Sequence, residues 1–395
     1  MTRLLYTLAL VAGLAEAIDA HAAAKLHFES ANLNIYVGVT VAHSQPMWFL
    51  LDTGVKPAII DLGVARALAL PLGDSVAIVG GGKDSVTGYL LKGSPYNVVG
   101  LAGFNAPLFL AMPLNDLSRR SGRQIAGILG YDFISQFVVE IDYVHSTITL
   151  QEKNAWTYRG KGAVFPITFN AAFHPQVRAQ VIDHGKPLTE GTFVFDLGSG
   201  ATVIFNRPFV EEQHFLQGER RTVNWMEGRG IGGQIAGSVG RVEGLKLGPF
   251  LIRNPVAVFA RAESGPFASA EAQGNIGAAI IEKFNVILDY ERKRIILEPN
   301  ERFGEPLDYN RAGLSLTTAD SSYRDYSIDA IAEGSSADST GLHVGDTLVA
   351  IDGHPAAEFT LSEIRLRFRH AKTCRLTVQR GNQRLEVGLS LHSPI

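Results

Sequence analysis

Two apolar stretches that end in Asp-x-Gly are the part of this sequence best suited to chemistry. One stretch ends at Asp52 and the other at Asp196, and a glycine lies two positions after each aspartate. A carboxylate at the end of a strand, turned by a following glycine, can project into a cleft. Two such carboxylates placed face to face cannot both ionise cheaply, so they share a proton. One can then activate a water molecule while the other protonates a carbonyl oxygen, as acid–base hydrolysis requires.

The two Asp-x-Gly segments belong to a longer internal repeat. Each is followed by an apolar run that closes on glycine, and then by a predicted β-hairpin. The apolar runs are residues 127–130 and 274–277, and the hairpins are residues 137–150 and 284–297. The intervals between matching anchors are nearly constant, which indicates two homologous lobes. Short β-branched runs separated by Gly, Pro, Asn and Asp predict that both lobes are mainly β.

Each lobe also carries a glycine-rich segment between its Asp-x-Gly motif and its apolar run. The central residues of these segments are Gly80, Gly81 and Gly82 in the first lobe, and Gly230, Ile231 and Gly232 in the second. Glycine clusters in β proteins are typical of hairpin tips and of close backbone approaches. We therefore expect two flaps over a cleft, with simple flexible loops as the alternative. Neither segment has the spacing of a phosphate-binding loop.

Taken together, these motifs resemble the aspartic proteases, specifically the retropepsin-like bacterial group, over roughly residues 30 to 300. The resemblance implies a mainly β protein with two homologous retropepsin-like β-barrel lobes that form a bilobal aspartic protease. It implies an aspartic-type endopeptidase with Asp52 and Asp196 as catalytic residues, a protein or peptide substrate, no cofactor and no metal. The residues expected to support the active site are Thr53, Gly54, Gly198 and Ser199.

Leu197 departs from the pattern of this family. Thr or Ser usually follows the aspartate, and its hydroxyl group bonds across to the other lobe, whereas leucine has no side-chain donor. The alternative is therefore a catalytically weak or inactive protease-like peptide-binding protein of the cell envelope. A structural envelope protein that uses both lobes only as a scaffold is a third interpretation, against which the presence of both aspartates argues.

The sequence after about residue 300 resembles a PDZ domain. The resemblance rests on three motifs followed by a helix candidate, at residues 331–337, 341–346, 351–354 and 361–369. It implies a peptide ligand that binds as an added strand at a sheet edge. The expected peptide-binding residues are Gly313, Leu314, Ser315 and Leu316. Ser315 stands where glycine is more usual, which argues against capture of a terminal carboxylate.

The N-terminal residues predict a signal peptide, because Arg3 precedes an apolar run and an Ala-His-Ala exit. The expected organisation is a signal peptide (1–24), a first lobe (25–155), a second lobe (156–303) and a PDZ-like domain (304–395). We therefore expect a secreted or periplasmic protein.

Composition excludes several other classes of function. The formal charge of −3 does not favour nucleic acid as a partner. No later stretch is long and apolar enough for stable insertion of the mature chain in a membrane. Cys374 is the single cysteine, so an internal disulfide is impossible. The histidines show no metal-ligand spacing, and no Gly-x-Ser-x-Gly motif indicates a serine nucleophile.

Overall fold

The computed structural model describes residues 22–224 and 228–395, which are mainly β. The predicted signal peptide lies outside the described residues, except for its last three positions, which begin the first strand. Within the described ranges, no helix combines the length and the apolar character needed to cross a membrane.

The first part of the described chain contains strands β1 to β11 and helices α1 to α3. The strands are β1 (Ala22–His27), β2 (Glu29–Ala31), β3 (Asn34–Val41), β4 (Met47–Leu51), β5 (Ile59–Asp61), β6 (Leu72–Val79), β7 (Ser85–Val98), β8 (Ala106–Met112), β9 (Gly127–Leu129), β10 (Val138–Asp142) and β11 (Thr147–Gln151). The helices are α1 (Leu62–Ala67), α2 (Asn115–Ser121) and α3 (Tyr131–Ile134).

The second part contains strands β12 to β26 and helices α4 and α5. The strands are β12 (Ala163–Pro166), β13 (Thr168–Phe169), β14 (Pro175–Ile182), β15 (Thr189–Asp196), β16 (Val203–Phe205), β17 (Val223–Asn224), β18 (Arg229–Gly230), β19 (Gly233–Gln234), β20 (Gly237–Arg241), β21 (Gly244–Leu247), β22 (Phe250–Arg253), β23 (Val256–Ala260), β24 (Gly274–Gly277), β25 (Phe284–Asp289) and β26 (Arg294–Pro299). The helices are α4 (Arg207–Glu212) and α5 (Ala278–Ile281).

The same strand arrangement occurs in both parts, as the sequence repeat predicts. In the first part β4 pairs with β9 in parallel, and β9 pairs with β5 in the antiparallel sense. In the second part β15 pairs with β24 in parallel, and β24 pairs with β16 in the antiparallel sense. The strands β5 and β16 each have a further parallel neighbour, β8 and β23. Asp52 therefore directly follows a strand that lies inside its sheet, and Asp196 is the last residue of the equivalent strand.

Both predicted hairpins are confirmed, and they join the two parts. The strands β10 and β11 form one hairpin, β25 and β26 form the other, and β10 pairs with β25. The resulting six-stranded sheet has the order β1-β11-β10-β25-β26-β12. One hydrophobic core, extending from Leu26 to Leu297, continues from the first part to the second. This shared core fixes the position of one Asp-x-Gly loop relative to the other.

The C-terminal part has a sheet and a core of its own. Its elements are β27 (Leu314–Thr318), β28 (Tyr326–Ile331), β29 (Thr347–Ile351), β30 (His354–Pro355), β31 (Thr373–Arg380), β32 (Gln383–Ser390) and α6 (Leu361–His370). The sheet order is β27-β28-β29-β31-β32, so β27 is an edge strand. Helix α6 begins at a capping box, in which Thr360 and Glu363 bond each other's backbone N–H groups. Leu361, Ile364 and Phe368 place its apolar face in this core.

Candidate active site

The Asp52 loop is held by close packing between β4 and β9. The backbone N–H of Asp52 donates to the carbonyl of Leu129 at 2.9 Å. A Cβ atom at Gly127 would lie 2.1 Å from the ring of Phe49, so only glycine fits beside this strand. The N–H of Gly54 then donates to Asp52 Oδ1 at 2.6 Å, which closes the turn on the carboxylate.

The Asp196 loop repeats this arrangement in the second part of the chain. The N–H of Gly198 donates to Asp196 Oδ1 at 3.0 Å. Asn275 Nδ2 donates to the other carboxylate oxygen at 2.8 Å. Ser199 adds a backbone hydrogen bond to the same carboxylate, and its carbonyl accepts from Ala278 at 2.8 Å. Each carboxylate is therefore aimed by its own loop.

The structure brings the two predicted catalytic aspartates together. The Asp52 and Asp196 carboxyl groups lie close enough to interact strongly, and the backbone N–H of Gly198 lies near both of them. A Cβ atom at Gly198 would lie 2.3 Å from the carboxyl carbon of Asp52, and one at Gly54 would lie 3.3 Å from Asp196 Oδ1. Glycine is therefore required at position 198, because a larger residue there would collide with Asp52, whereas a Cβ atom at position 54 would shift its neighbours by only a few tenths of an ångström.

The electrostatics of this pair favour a shared proton. Burial and the charge of Asp196 raise the pKa of Asp52 to about 7. Burial also raises the pKa of Asp196, although the neighbouring His174 and the hydrogen bond from Asn275 oppose the rise. Since the groups interact strongly, their titration belongs to the pair.

Thr53 connects the two loops. Its hydroxyl group donates to the carbonyl of Phe195 at 2.6 Å and accepts from the N–H of Leu197 at 3.0 Å. Thr53 is buried, so both bonds are shielded from water. The Leu197 side chain lies in the shared core and is 1% exposed. The connection thus has one hydroxyl, from Thr53, and the second loop contributes only backbone groups to it.

The two candidate flaps meet each other at their tips. We call residues 80–84, between β6 and β7, the first tip, and residues 230–233, at β18 and β19, the second tip. The N–H of Gly82 donates to the carbonyl of Ile231 at 2.8 Å, and the N–H of Asp84 donates to that of Gly232 at 2.9 Å. A Cβ atom at Gly80 would lie 2.5 Å from Ile231. The glycines thus permit a direct contact between the backbones of the two tips.

A cavity of about 140 Å³ lies beside Asp196 and reaches the first tip at Gly81. Its remaining wall combines apolar surface with polar side chains that the sequence analysis did not single out as functional: His174, Asn170, Asn206, Glu271 and Asn275. Burial lowers the pKa of His174, although the charge of Asp196 and a hydrogen bond with the backbone of Gly54 oppose the change. Of these five residues, only Asn275 lies within a motif of the sequence analysis, the apolar run of residues 274–277. No sequence pattern marks the other four, because they come from separate loops.

A second cavity, of about 350 Å³, lies between the second tip and helix α2. Its wall is formed by residues 229–233, by Asp84 of the first tip and the nearby Val86, and by Asp116, Leu117 and Arg120 of α2. Arg120 forms an ion pair with Asp329 of β28 at 2.8 Å, and Arg229 lies 3.9 Å from the same carboxylate. The C-terminal part is thus linked to the segment around the flaps.

The predicted peptide-binding residues of the tail lie at the start of β27. Gly313 has a φ of 69°, and a Cβ atom there would lie 2.0 Å from that of Ser335. Leu314 and Leu316 lie in the tail core, and Ser315 is buried. The comparison with family models identifies this region. Residues 308–379 form a PDZ domain. No curated protein matches the chain.

The PDZ domain explains the geometry of the tail. In this domain a peptide binds beside the edge strand, opposite a helix. The edge strand is β27 and the facing helix is α6. Cys374 is buried on β31, where burial raises the pKa of its thiol to about 11, so it is a core residue of this domain. Among the described residues, no group of His, Cys, Asp and Glu is arranged to hold a metal ion.

Proposed function

We propose that this chain is an aspartic-type endopeptidase in which Asp52 and Asp196 form the catalytic pair. The observation that carries this proposal is the close approach of the two carboxyl groups, each presented by a repeated strand-and-glycine loop: a Cβ atom at Gly54 would lie 3.0 Å from Asp52 Oδ1 and 3.3 Å from Asp196 Oδ1. The contact between the two tips and the cavity beside Asp196 also support it. The fold of residues 25–303 is proposed to be a pair of retropepsin-like lobes.

The proposed reaction uses the proton that the two carboxyl groups share. The ionised carboxylate removes a proton from a water molecule, and the water oxygen bonds to the carbonyl carbon of the peptide. The protonated carboxyl group gives its proton to the carbonyl oxygen. The tetrahedral intermediate then collapses: the ionised carboxylate takes the proton of one hydroxyl group as the new carbonyl forms, the protonated carboxyl group gives its proton to the nitrogen, and the C–N bond breaks. The pair ends with one proton, as it began, and no covalent acyl-enzyme forms.

Digestion of an unfolded protein by the full chain, from about pH 4 to about pH 8, tests this proposal. Cleavage should fall as the pH rises through about 7, because the pair then loses its shared proton. Asp52→Asn and Asp196→Asn should each lower the rate at least about a hundredfold. Asp142→Asn is the matched control, since Asp142 also precedes a turn but lies on β10. No cleavage by the folded wild-type chain at any pH would exclude the proposal.

A second function is favoured by Leu197, which leaves the loop connection with a single hydroxyl group. In this case the chain is a peptide-binding protein of the cell envelope with little or no activity. Asp52→Asn and wild type would then bind an unfolded substrate equally and cleave it equally slowly. A large difference in cleavage between these two proteins excludes this function.

We also propose that the chain is exported and that its PDZ domain recruits substrate. Export rests on the N-terminal leader pattern, and cell fractionation with N-terminal sequencing of the mature protein tests it. Recruitment rests on the PDZ domain. If the domain recruits substrate, its removal should slow the cleavage of long substrates more than that of short peptides, because only long ones can occupy both sites. Equal losses would contradict recruitment.

A further inference from the structure

The edge strand of the PDZ domain is covered, although it should be open to a ligand. All five side chains of β27 are buried. A free edge strand normally exposes one face and a row of unpaired backbone groups. Something other than the domain's own sheet must therefore cover the groove between β27 and α6.

The covering element is the C-terminal end of helix α2, which belongs to the first part of the chain. Thr318 of β27 donates its hydroxyl proton to the carbonyl of Arg119 at 2.9 Å. Arg365 of α6 donates to the carbonyl of Arg120 at 2.8 Å. The last carbonyls of a helix lack partners within the helix. One side chain from each wall of the groove thus satisfies a carbonyl at the end of α2.

Further contacts hold α2 in this position. Arg120 pairs with Asp329 of β28, and both side chains are mostly buried. Ser118 lies near the hydroxyl group of Tyr323, in the loop between β27 and β28. Gly122, which follows α2, packs against the first residue of α6, and a Cβ atom there would lie 2.5 Å from that of Leu361. The contact therefore spans backbone, charged and apolar groups.

The loop before β27 already uses three of its backbone N–H groups in internal hydrogen bonds. The side-chain oxygen of Asn310 accepts from the N–H groups of Ala312 and Gly313, at 3.1 and 3.2 Å. The N–H of Arg311 donates to the carbonyl of Phe368 at 2.9 Å. A carboxylate would have to displace Asn310 to gain these hydrogen bonds. The groove is therefore suited to internal segments of a chain, like α2 itself.

We infer that α2 is an intramolecular ligand of the PDZ domain, and that an internal segment of another protein binds the groove by displacing it. The apparent affinity for such a segment falls by the fraction of molecules in which the groove is open. A minor state of this kind is typically populated at about 0.1–10%, so α2 should weaken binding about tenfold or more. This inference rests on peptide binding by the PDZ domain and is independent of the aspartate pair.

A variant on the α2 side tests the inference without altering the groove. Gly122→Ala places a methyl group against Leu361 and should expel the end of α2. Gly93→Ala is the matched control, because both glycines have a φ of 66° but Gly93 has open space around its missing Cβ. The probe is a fluorescent peptide of residues 113–124, blocked at both ends. Full-length Gly122→Ala should bind it at least about tenfold more tightly than wild type or Gly93→Ala.

Hydrogen exchange of the β27 amides gives a second readout on the same proteins. Exchange should be faster in Gly122→Ala than in the control, because α2 no longer covers the strand. If Gly122→Ala does not fold, Arg120→Ala replaces it, since this change removes the ion pair with Asp329 that holds α2 on the domain, together with the pair that Arg120 makes with Asp116 inside α2. Equal exchange in variant and control would show that α2 does not close the groove. Wild-type binding as tight as that of the variant, or no binding by the variant, would also overturn the inference.

Discussion

Replacing Asp52 by asparagine should change how the stability of the protein depends on pH. In the unfolded chain the carboxyl group titrates near 3.8, whereas burial and the neighbouring Asp196 raise its pKa in the folded protein to about 7. Between these two values the folded state binds more protons than the unfolded state, so the wild-type free energy of unfolding falls as pH rises. Below and above this window the contribution is constant.

The size of this effect follows from the pKa of Asp52. A change from 3.8 to about 7 corresponds to about 4 kcal/mol, at about 1.4 kcal/mol per pH unit. Asp52 as a whole residue is half-buried, so solvent screening reduces this value, and we expect about 2–4 kcal/mol. Asparagine resembles the neutral acid and does not titrate. The stability of Asp52→Asn relative to wild type should therefore increase by that amount from about pH 4 to about pH 8.

Urea unfolding at steps across this pH range measures the difference directly. Asp352→Asn is the control: burial raises the pKa of Asp352, but hydrogen bonds from the backbone of Arg375 and from Arg367 outweigh burial and lower it overall. These partners stay charged or neutral throughout the range, so this variant should differ from wild type by a constant amount. A constant difference for Asp52→Asn as well would refute the coupling of the two carboxyl groups. This test needs no substrate and is independent of activity.

Three further changes examine the loops and the flaps. Thr53→Val should lower the free energy of unfolding by about 2–4 kcal/mol, because it leaves the carbonyl of Phe195 and the N–H of Leu197 buried and unpaired. Thr53→Ser keeps the hydroxyl group and should retain most of the wild-type stability in the same urea assay. Leu197→Thr should lower the melting temperature, because it removes apolar contacts from the shared core; a rise would mean that the new hydroxyl bridges the loops. Gly82→Ala should speed hydrogen exchange at the first tip, because its Cβ would lie 2.2 Å from Gly232, and unchanged exchange would contradict the tip contact.

The parts of the structure that were predictable from sequence are those held by local patterns. The glycines that follow the apolar strands ending in Asp-x-Gly are required by contacts within each part of the chain, such as Gly127 against Phe49. The repeat predicted each hairpin separately, whereas the pairing of the two hairpins through β10 and β25 was not predicted. The PDZ domain was visible because its loops use glycine at fixed positions, including Gly341 and Gly345, which adopt positive φ.

The parts that could not be predicted depend on backbone groups or on loops far apart in sequence. The side-chain amide of Asn206 donates to three backbone carbonyls of the segment beside the cavity. In the sequence, nothing distinguishes Asn206 from any other short polar residue. The position of α2 is set by hydrogen bonds to backbone carbonyl groups at the end of the helix. Every residue has such a carbonyl group, so the sequence gives no indication of these bonds. Asn310 satisfies the loop before β27 in the same way. In the sequence, only Ser315, at a position where glycine is more usual, argues against capture of a terminal carboxylate.

Helix α2 connects the PDZ groove to the flaps, which predicts coupling between the two sites. The cavity of about 350 Å³ is bounded by α2 on one side and by the second tip on the other. Asp329 pairs with Arg120 of α2 and lies 3.9 Å from Arg229 of β18. A segment that displaces α2 therefore removes both a wall of this cavity and a contact near the second tip.

Coupling between two binding sites is reciprocal. An inhibitor that holds the flap tips apart should therefore tighten binding of the 113–124 peptide. The peptide should tighten binding of the inhibitor by the same factor. Titration of each ligand with and without the other, using a pepstatin-type inhibitor, measures both factors. Equal affinities in all four titrations would show that the groove and the flaps act independently.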